Sequence, residues 1–234
     1  VYKRQGITSS ISVPAYAGIP VTHRDFCSSL HIITGHAKAG AELSVDFDAL
    51  VRLNGTLIFM MSVSTCGRIA DGLMKAGMDK TMPCAVIENG TYAKQRKFIS
   101  DLAHIEEVVR ENRVKSPAVI AVGKVCSLSD RFDWFGNLSL KGKRILVTQP
   151  KSKASRLEGK LRALGAETGL YPCIRTEFIR PMNPPFTAYD TCVFTSTEGV
   201  HSFFSWIFEQ GKDVRAVSGK RFACLLYTSD AADD

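Results

Sequence analysis

Short apolar runs alternate with stretches of helical periodicity along the chain, and no other feature restricts the fold as much. Leu30–Thr34, Thr56–Ser62, Cys84–Glu88 and Ala118–Gly123 have the length and composition of strands. Between them, Arg68–Lys75 places Ile69, Leu73 and Met74 on one face, with Gly77 as its C-cap. Leu102–Glu111 does the same with Leu102, Ile105, Val108 and Val109. The alternation lapses over Ser127–Lys143, where Asp, Gly, Asn and Lys surround Phe132, Trp134 and Phe135. That composition suits a connector whose aromatic rings pack down on a domain. The pattern then restarts with a strand at Arg144–Thr148, a helix from Ser152 carrying Leu157, Leu161 and Leu164 up to Gly165, and a strand at Glu167–Tyr171. Prolines 181, 184 and 185 make Arg180–Pro185 a loop. Thr191–Phe194 is a strand, and Val200, Phe203, Phe204, Ile207 and Phe208 form the stripe of a further helix. No internal repeat relates the two halves, so the expectation is an α/β chain of two different units.

Composition excludes several classes. With 234 residues, 45% hydrophobic and 23% charged, the chain can bury one or two cores and is neither disordered nor fibrous. Its longest apolar runs, such as Thr56–Val63, fall well short of the roughly 18 residues of a membrane helix. The formal charge of +7 is spread along the sequence without an arginine-rich run. Dispersed charge favours a polyanionic small substrate, or solubility alone, over nucleic acid. Cysteines 27, 66, 84, 126, 173 and 192 form no CxxC pair, and histidines 23, 31, 36, 104 and 201 show no recurring spacing, so no metal site is expected. Reduced thiols and a cytoplasmic location follow as the default.

The two ends read differently from the body. Val1–Gln5 resembles the translation of one strand of a sequencing-library transposon adapter, and Cys224–Asp234 resembles the other strand. Setting them aside removes two cations and three anions and takes the charge from +7 to +8. The expectation is a fragment of a longer protein, open at both ends.

A resemblance rests on motifs in consecutive order. Gly6–Ser10, Pro14–Pro20, Thr22–Asp25, Ile33–His36, Thr56–Met61, Pro83 through Glu88–Thr91 with Gln95 and Arg96, and Ser116–Ala118 with Val122 and Gly123 resemble the uroporphyrinogen-III C-methyltransferase branch of the tetrapyrrole methylase family. Gly142–Thr148, Leu164–Ala166, Pro172, Phe194–Ser196, Gly199 and Val200 are similar to the start of uroporphyrinogen-III synthase, over a shorter stretch. The division implied is residues 1–5 adapter-like, 6–22 the last helix of a methylase N-terminal lobe, 23–128 the methylase C-terminal lobe, 129–142 a connector, 143–223 a truncated synthase and 224–234 adapter-like.

The methylase resemblance implies S-adenosylmethionine as cofactor, held in a cleft by Thr8, Ser9, Met61, Gly90 and Ala118, with the acid and base groups upstream of this chain. Small side chains and backbone groups suit a neutral adenosine and a sulfonium, and Met61 adds soft apolar surface. Each residue also has a plainer role: Thr8 and Ser9 as caps of the helix that follows, Met61 as core, Gly90 as a turn residue after Asn89. Ser62 stands where the family often has Gly. His23 and Arg24 could meet a carboxylate of an octacarboxylate substrate or serve the lobe hinge. In the second unit, Thr195 and Ser196 are the expected substrate contacts, at a strand end that opens a helix, where ordinary N-capping is the alternative. Gln149 replaces an Arg frequent there. The activities implied are C-methylation of uroporphyrinogen III at C2 and C7 and cyclisation of hydroxymethylbilane, with no nucleic acid or membrane partner and room for a homodimer of the full-length protein. The rival reading is a non-catalytic basic α/β module that binds an acidic partner.

Overall fold

In the computed structural model the described residues are 6–35, 45–175, 177–179 and 188–225, with the backbone alone for 151–153. Two compact units divide between Ile174 and Arg175.

The first unit is organised by a five-stranded mixed sheet. Its strands are β1 (Leu30–Thr34), β2 (Thr56–Met60), β3 (Pro83–Glu88), β4 (Arg96–Asp101) and β5 (Ala118–Val122), in the spatial order β1-β2-β5-β3-β4. Only β1 and β2 run parallel; β5 is antiparallel to both β2 and β3, and β3 to β4. The three central strands are buried on both faces, which is why their sequences read as unbroken apolar runs rather than alternating ones. On one face Leu57, Phe59, Cys84, Val86, Ile120 and Val122 share a core with helices α3 (Cys66–Lys75) and α4 (Ile105–Glu111). Helix α2 (Phe47–Leu53) adds Phe47, Leu50 and Val51 to that layer. On the other face Ile58, Ala85, Ile87, Val119 and Ala121 meet Val13 and Ala17 of helix α1 and its end (Ser9–Tyr16), with Ile19, Val125 and Cys126. The period of two in each strand thus divides one apolar run between two separate cores.

The strands expected at Leu30, Thr56, Cys84 and Ala118 are all present, with ends within two residues. Helix α4 starts at Ile105 rather than Leu102 because residues 101–104 form a turn in which the His104 N–H donates to Asp101 Oδ1 at 3.0 Å. Helix α2 and strand β4 went unread. Seven-residue α2 relies on its Asp46 cap, which accepts from the Ala49 N–H at 2.8 Å, and β4 is an edge strand whose Arg96, Lys97 and Asp101 break the apolar pattern.

The connector follows a 3₁₀ turn at Lys124–Leu128 and leads to β6 (Arg144–Val147), α5 (Lys151–Ala163) and β7 (Glu167–Leu170), a parallel pair in its own two-stranded sheet. The Leu140 N–H donates to Leu164 O at 2.9 Å, joining the connector to the end of α5. The compact unit therefore continues past residue 142, whereas the expected family boundary lies there.

The second unit, considered by itself, contains β8 (Thr191–Phe194), α6 (Thr197–Glu209) and β9 (Arg221–Cys224), with β8 and β9 parallel. Ile207 is fully buried, and Phe194, Phe203, Phe204 and Phe222 form an aromatic cluster in which Phe194 and Phe222 stack at 6.0 Å. Cys224, expected to begin a non-native tail, pairs in register with Phe194. His36, the Arg180–Pro185 loop, Val1–Gln5 and 226–234 lie outside the described residues.

Candidate cofactor cleft

A cleft of about 870 Å³ opens at the ends of β2, β3 and β5, on the side that carries α1. Three segments build it. The first is α1, whose Ser9, Ser12 and Val13 stand at the i, i+3, i+4 spacing of one helix face. Thr8, its N-cap, accepts from the Ser10 N–H through Oγ1 at 3.4 Å, so this hydroxyl is engaged in capping. The second is the exit from β2, with Met60, Met61, Val63 and Ser64. Met61 takes φ +52°, in the left-handed region rare for a side chain of its size, and is 60% exposed. Backbone strain of this kind places its thioether in the opening rather than in the core. Ser62 is buried and donates to Phe59 O at 3.1 Å, turning its hydroxyl back to the strand.

The third segment pairs two loops. After β3, Gly90, Thr91 and Tyr92 form one lip, and before β5, Ser116, Pro117 and Ala118 form the other. The Asn89 N–H donates to Pro117 O at 2.9 Å and ties the lips together. Buried Glu88 anchors both: Oε2 accepts from Arg96 Nε at 2.6 Å and Oε1 from the Lys115 N–H at 2.8 Å. The Arg96 guanidinium holds the Glu88 carboxyl below the usual carboxylate range, and the Lys115 N–H adds to the effect.

Four of the five cofactor candidates, Ser9, Met61, Gly90 and Ala118, therefore line one opening, and Thr8 adjoins it through the capped end of α1. Among the described residues the lining contains no Lys, Arg, Asp, Glu or His. Hydroxyls, backbone groups and apolar side chains suit a molecule with a large uncharged part, such as a nucleoside, rather than a polyanion. Its dimensions and chemistry fit an adenosine with a thioether or sulfonium.

His23 and Arg24 do not line this cleft. His23 Nδ1 accepts from the Asp25 N–H at 3.3 Å, and its ring lies 5.2 Å from that of Phe26. In the second unit, Ser196 Oγ accepts from the Gly199 N–H at 3.1 Å and caps α6. Among the described residues there is no cluster of His, Cys, Asp and Glu able to hold a metal, and no helix long and apolar enough to cross a membrane.

Sequence reading did not single out Ser12, Val13 or Tyr92, and it named Gln95 only as a motif residue. Ser12 and Val13 were accessible from their helical spacing to Ser9. Gln95 does not touch the cleft, yet Oε1 accepts from the Thr91 N–H at 2.7 Å and Nε2 donates to Tyr16 O at 3.0 Å, joining one lip to α1.

Fold and cleft together define a small-molecule-binding α/β lobe. Residues 5–106 match the tetrapyrrole (corrin/porphyrin) methylases and residues 155–225 match uroporphyrinogen-III synthase HemD. Over 226 residues the chain is 46% identical to the porphyrin biosynthesis protein HemD of Ruminiclostridium josui, covering 94% of this chain and 45% of that protein. It is 34% identical over 220 residues to a uroporphyrinogen-III C-methyltransferase of Bacillus subtilis, covering 92% and 45%. An S-adenosyl-L-methionine-dependent uroporphyrinogen III methyltransferase of Methanosarcina barkeri is 48% identical over 126 residues, or 53% of this chain and 49% of that one. The chain spans about half the length of these relatives. Its first part is thus similar to the tetrapyrrole methylases and its last part to the uroporphyrinogen-III synthases.

Proposed function

We propose that the first part holds S-adenosylmethionine for the C-methylation of uroporphyrinogen III, at C2 and C7 towards precorrin-2, and that the last part serves the cyclisation of hydroxymethylbilane to uroporphyrinogen III. One observation carries the cofactor reading: residues separated by more than a hundred positions, Ser9 and Ala118 with Met61 and Gly90 between them, line a single cleft. When bound, the cofactor supplies a methyl group activated on a sulfonium. The work of this chain is alignment. Ser9 and Ser12 offer hydroxyls from α1, the Gly90–Tyr92 and Ser116–Ala118 lips offer backbone groups, and Met61 offers apolar surface beside the opening. Fixing a methyl donor against a carbon nucleophile recovers up to about 7–11 kcal/mol of barrier in ideal cases, so rigid lips matter more here than ionisable groups.

Thr195 and Ser196 are assigned to a substrate carboxylate at the start of α6, with Ser196 capping the helix as it does so. This reading places the protein in the cytoplasm, in keeping with seven free thiols. The rival, a basic module for an acidic partner, is disfavoured by a cleft whose described lining holds no Lys or Arg.

Calorimetric titration of the chain with S-adenosylhomocysteine tests the cofactor reading. Weak but saturable one-to-one binding, without methylation by this chain alone and abolished by Ala118→Phe, is the expected result. Absence of binding, or binding indifferent to Ala118→Phe, would refute it.

A further inference from the structure

Three carbonyls at the end of α1, those of Ala15, Tyr16 and Ala17, accept from side chains far away in the sequence, beside the local backbone bonds that close the helix. Trp134 Nε1 donates to Ala15 O at 3.1 Å, Gln95 Nε2 to Tyr16 O at 3.0 Å and Ser129 Oγ to Ala17 O at 2.8 Å. Two of these three donors belong to the connector. Helix α1 cannot hold itself: it has eight residues, and Pro14 lacks the N–H that would bond one turn back. Connector backbone also lies against Gly18, just past the Ala17 cap of the helix. A Cβ on Gly18, which takes φ +74°, would meet Ser129 O at 2.4 Å and the Asp133 N at 2.9 Å.

The same connector grips the opposite wall. Lys141 Nζ donates to Ala93 O at 2.5 Å, with Tyr92 O at 3.3 Å and Gln95 O at 3.4 Å, and lies 4.5 Å from the centre of the Phe135 ring. Phe135 in turn touches Tyr16 of α1, ring centres 4.8 Å apart. Lys97 completes the anchorage, donating to Ser129 Oγ at 2.8 Å and pairing with Asp133 at 2.8 Å. The connector thus bonds to the helix that lines one side of the cleft and to the Tyr92 turn that lines the other.

We infer that the connector is a working wall support of the cofactor cleft, with Ser129, Trp134 and Lys141 as positioning residues that set the separation of α1 and the Gly90–Tyr92 lip. It is more than a tether between two enzymes, and ligand binding in the methylase part depends on it. The inference rests on the cofactor reading given above, but its geometric half can be measured without ligand.

The full chain is compared as wild type, Trp134→Phe, Lys141→Met and Lys141→Arg. Trp134→Phe keeps an aromatic ring at that position and removes the N–H. Hydrogen exchange read by mass spectrometry should show residues 9–17 and 89–95 opening about fivefold more readily in Trp134→Phe and Lys141→Met, the factor set by one lost hydrogen bond. Exchange in β2 and β5 should not change. Affinity for S-adenosylhomocysteine should fall by a similar factor and recover in Lys141→Arg. If Lys141→Met does not fold, Trp134→Phe decides the matter. Unaltered exchange and affinity in the variants, or acceleration spread evenly over the whole lobe, overturns the inference. A wild-type chain that fails to bind S-adenosylhomocysteine while the variants show the local exchange pattern overturns the cofactor reading and supports the positioning.

Discussion

Gly90 and Val13 pack so closely that a Cβ built on Gly90 would lie 2.5 Å from both methyl carbons of the valine. The contact sets how near the lip after β3 comes to α1. Because Gly90 is not in the left-handed region, the need for glycine here is one of space and not of backbone angle. Gly90→Ala should therefore push the lip off the helix and weaken S-adenosylhomocysteine binding by roughly tenfold or more, the scale of an overpacked contact. Val13→Ala in the same chain should restore part of the loss, and a double-mutant cycle by calorimetry measures the coupling.

The Glu88 bonds to Arg96 and the Lys115 N–H predict a pH dependence. Its carboxyl is held low in the folded protein, chiefly by the Arg96 hydrogen bond, so the native state binds this proton less readily than the unfolded chain. The stabilisation is present above the unfolded value of about 4.3 and disappears as pH falls through the folded value. Glu88→Gln should lower stability near pH 7 by about 1 to 3 kcal/mol, as expected when a buried charge-assisted bond is weakened. Denaturant titrations of the two proteins from pH 7 downward should converge in acid; a constant gap would show that the ion pair is not its source.

Thiol chemistry should divide by position. Burial pushes the Cys66 and Cys126 thiols up to about 12, with Glu106 adding to Cys66 and Cys27 to Cys126, and burial raises Cys84 further. At pH 8 a thiol titrating near 12 is ionised to about one part in ten thousand and reacts accordingly slowly. Exposed Cys173 and Cys224 should alkylate first, and mass spectrometry should find Cys66, Cys84 and Cys126 unmodified until denaturant is added.

Ser196 allows capping and substrate binding to be separated. Ser196→Ala should cost about 1 kcal/mol through loss of the Gly199 bond at the start of α6. Ser196→Asp keeps a capping oxygen and adds a negative charge, so stability should be retained. In an enzyme of the relatives' full length, the same Asp should raise the Michaelis constant for hydroxymethylbilane, whose carboxylates it repels. An unchanged constant would leave Ser196 as a cap alone.

Much of this arrangement was legible before any coordinates. The apolar runs at Thr56, Cys84 and Ala118 announced strands, and their burial on both faces in the fold explains why they lack polar alternation. Ordered motifs pointed to Thr8, Ser9, Met61, Gly90 and Ala118 as one group, of which all but Thr8 line the cleft. Local sequence also carried the Ser196 cap and the α6 stripe, because caps and helical faces depend on residues three or four apart.

What needed the tertiary structure depends on distance along the chain. Charged β4 is a strand only because β3 offers it a partner in register, from Pro83–Asp101 to Glu88–Arg96. Sequence left Met61 between core and cofactor surface, and its left-handed backbone at the end of β2 with 60% exposure puts it at the opening. Composition already suggested that Trp134 packs down on a domain, but it named no partner for Trp134 and gave Lys141 no role. Their partners, Ala15 and Ala93, are main-chain carbonyls of residues with no distinguishing side chain, far back in the sequence. A carbonyl is the same at every position, so no residue pattern can mark which one will be left unpaired and which side chain will reach it.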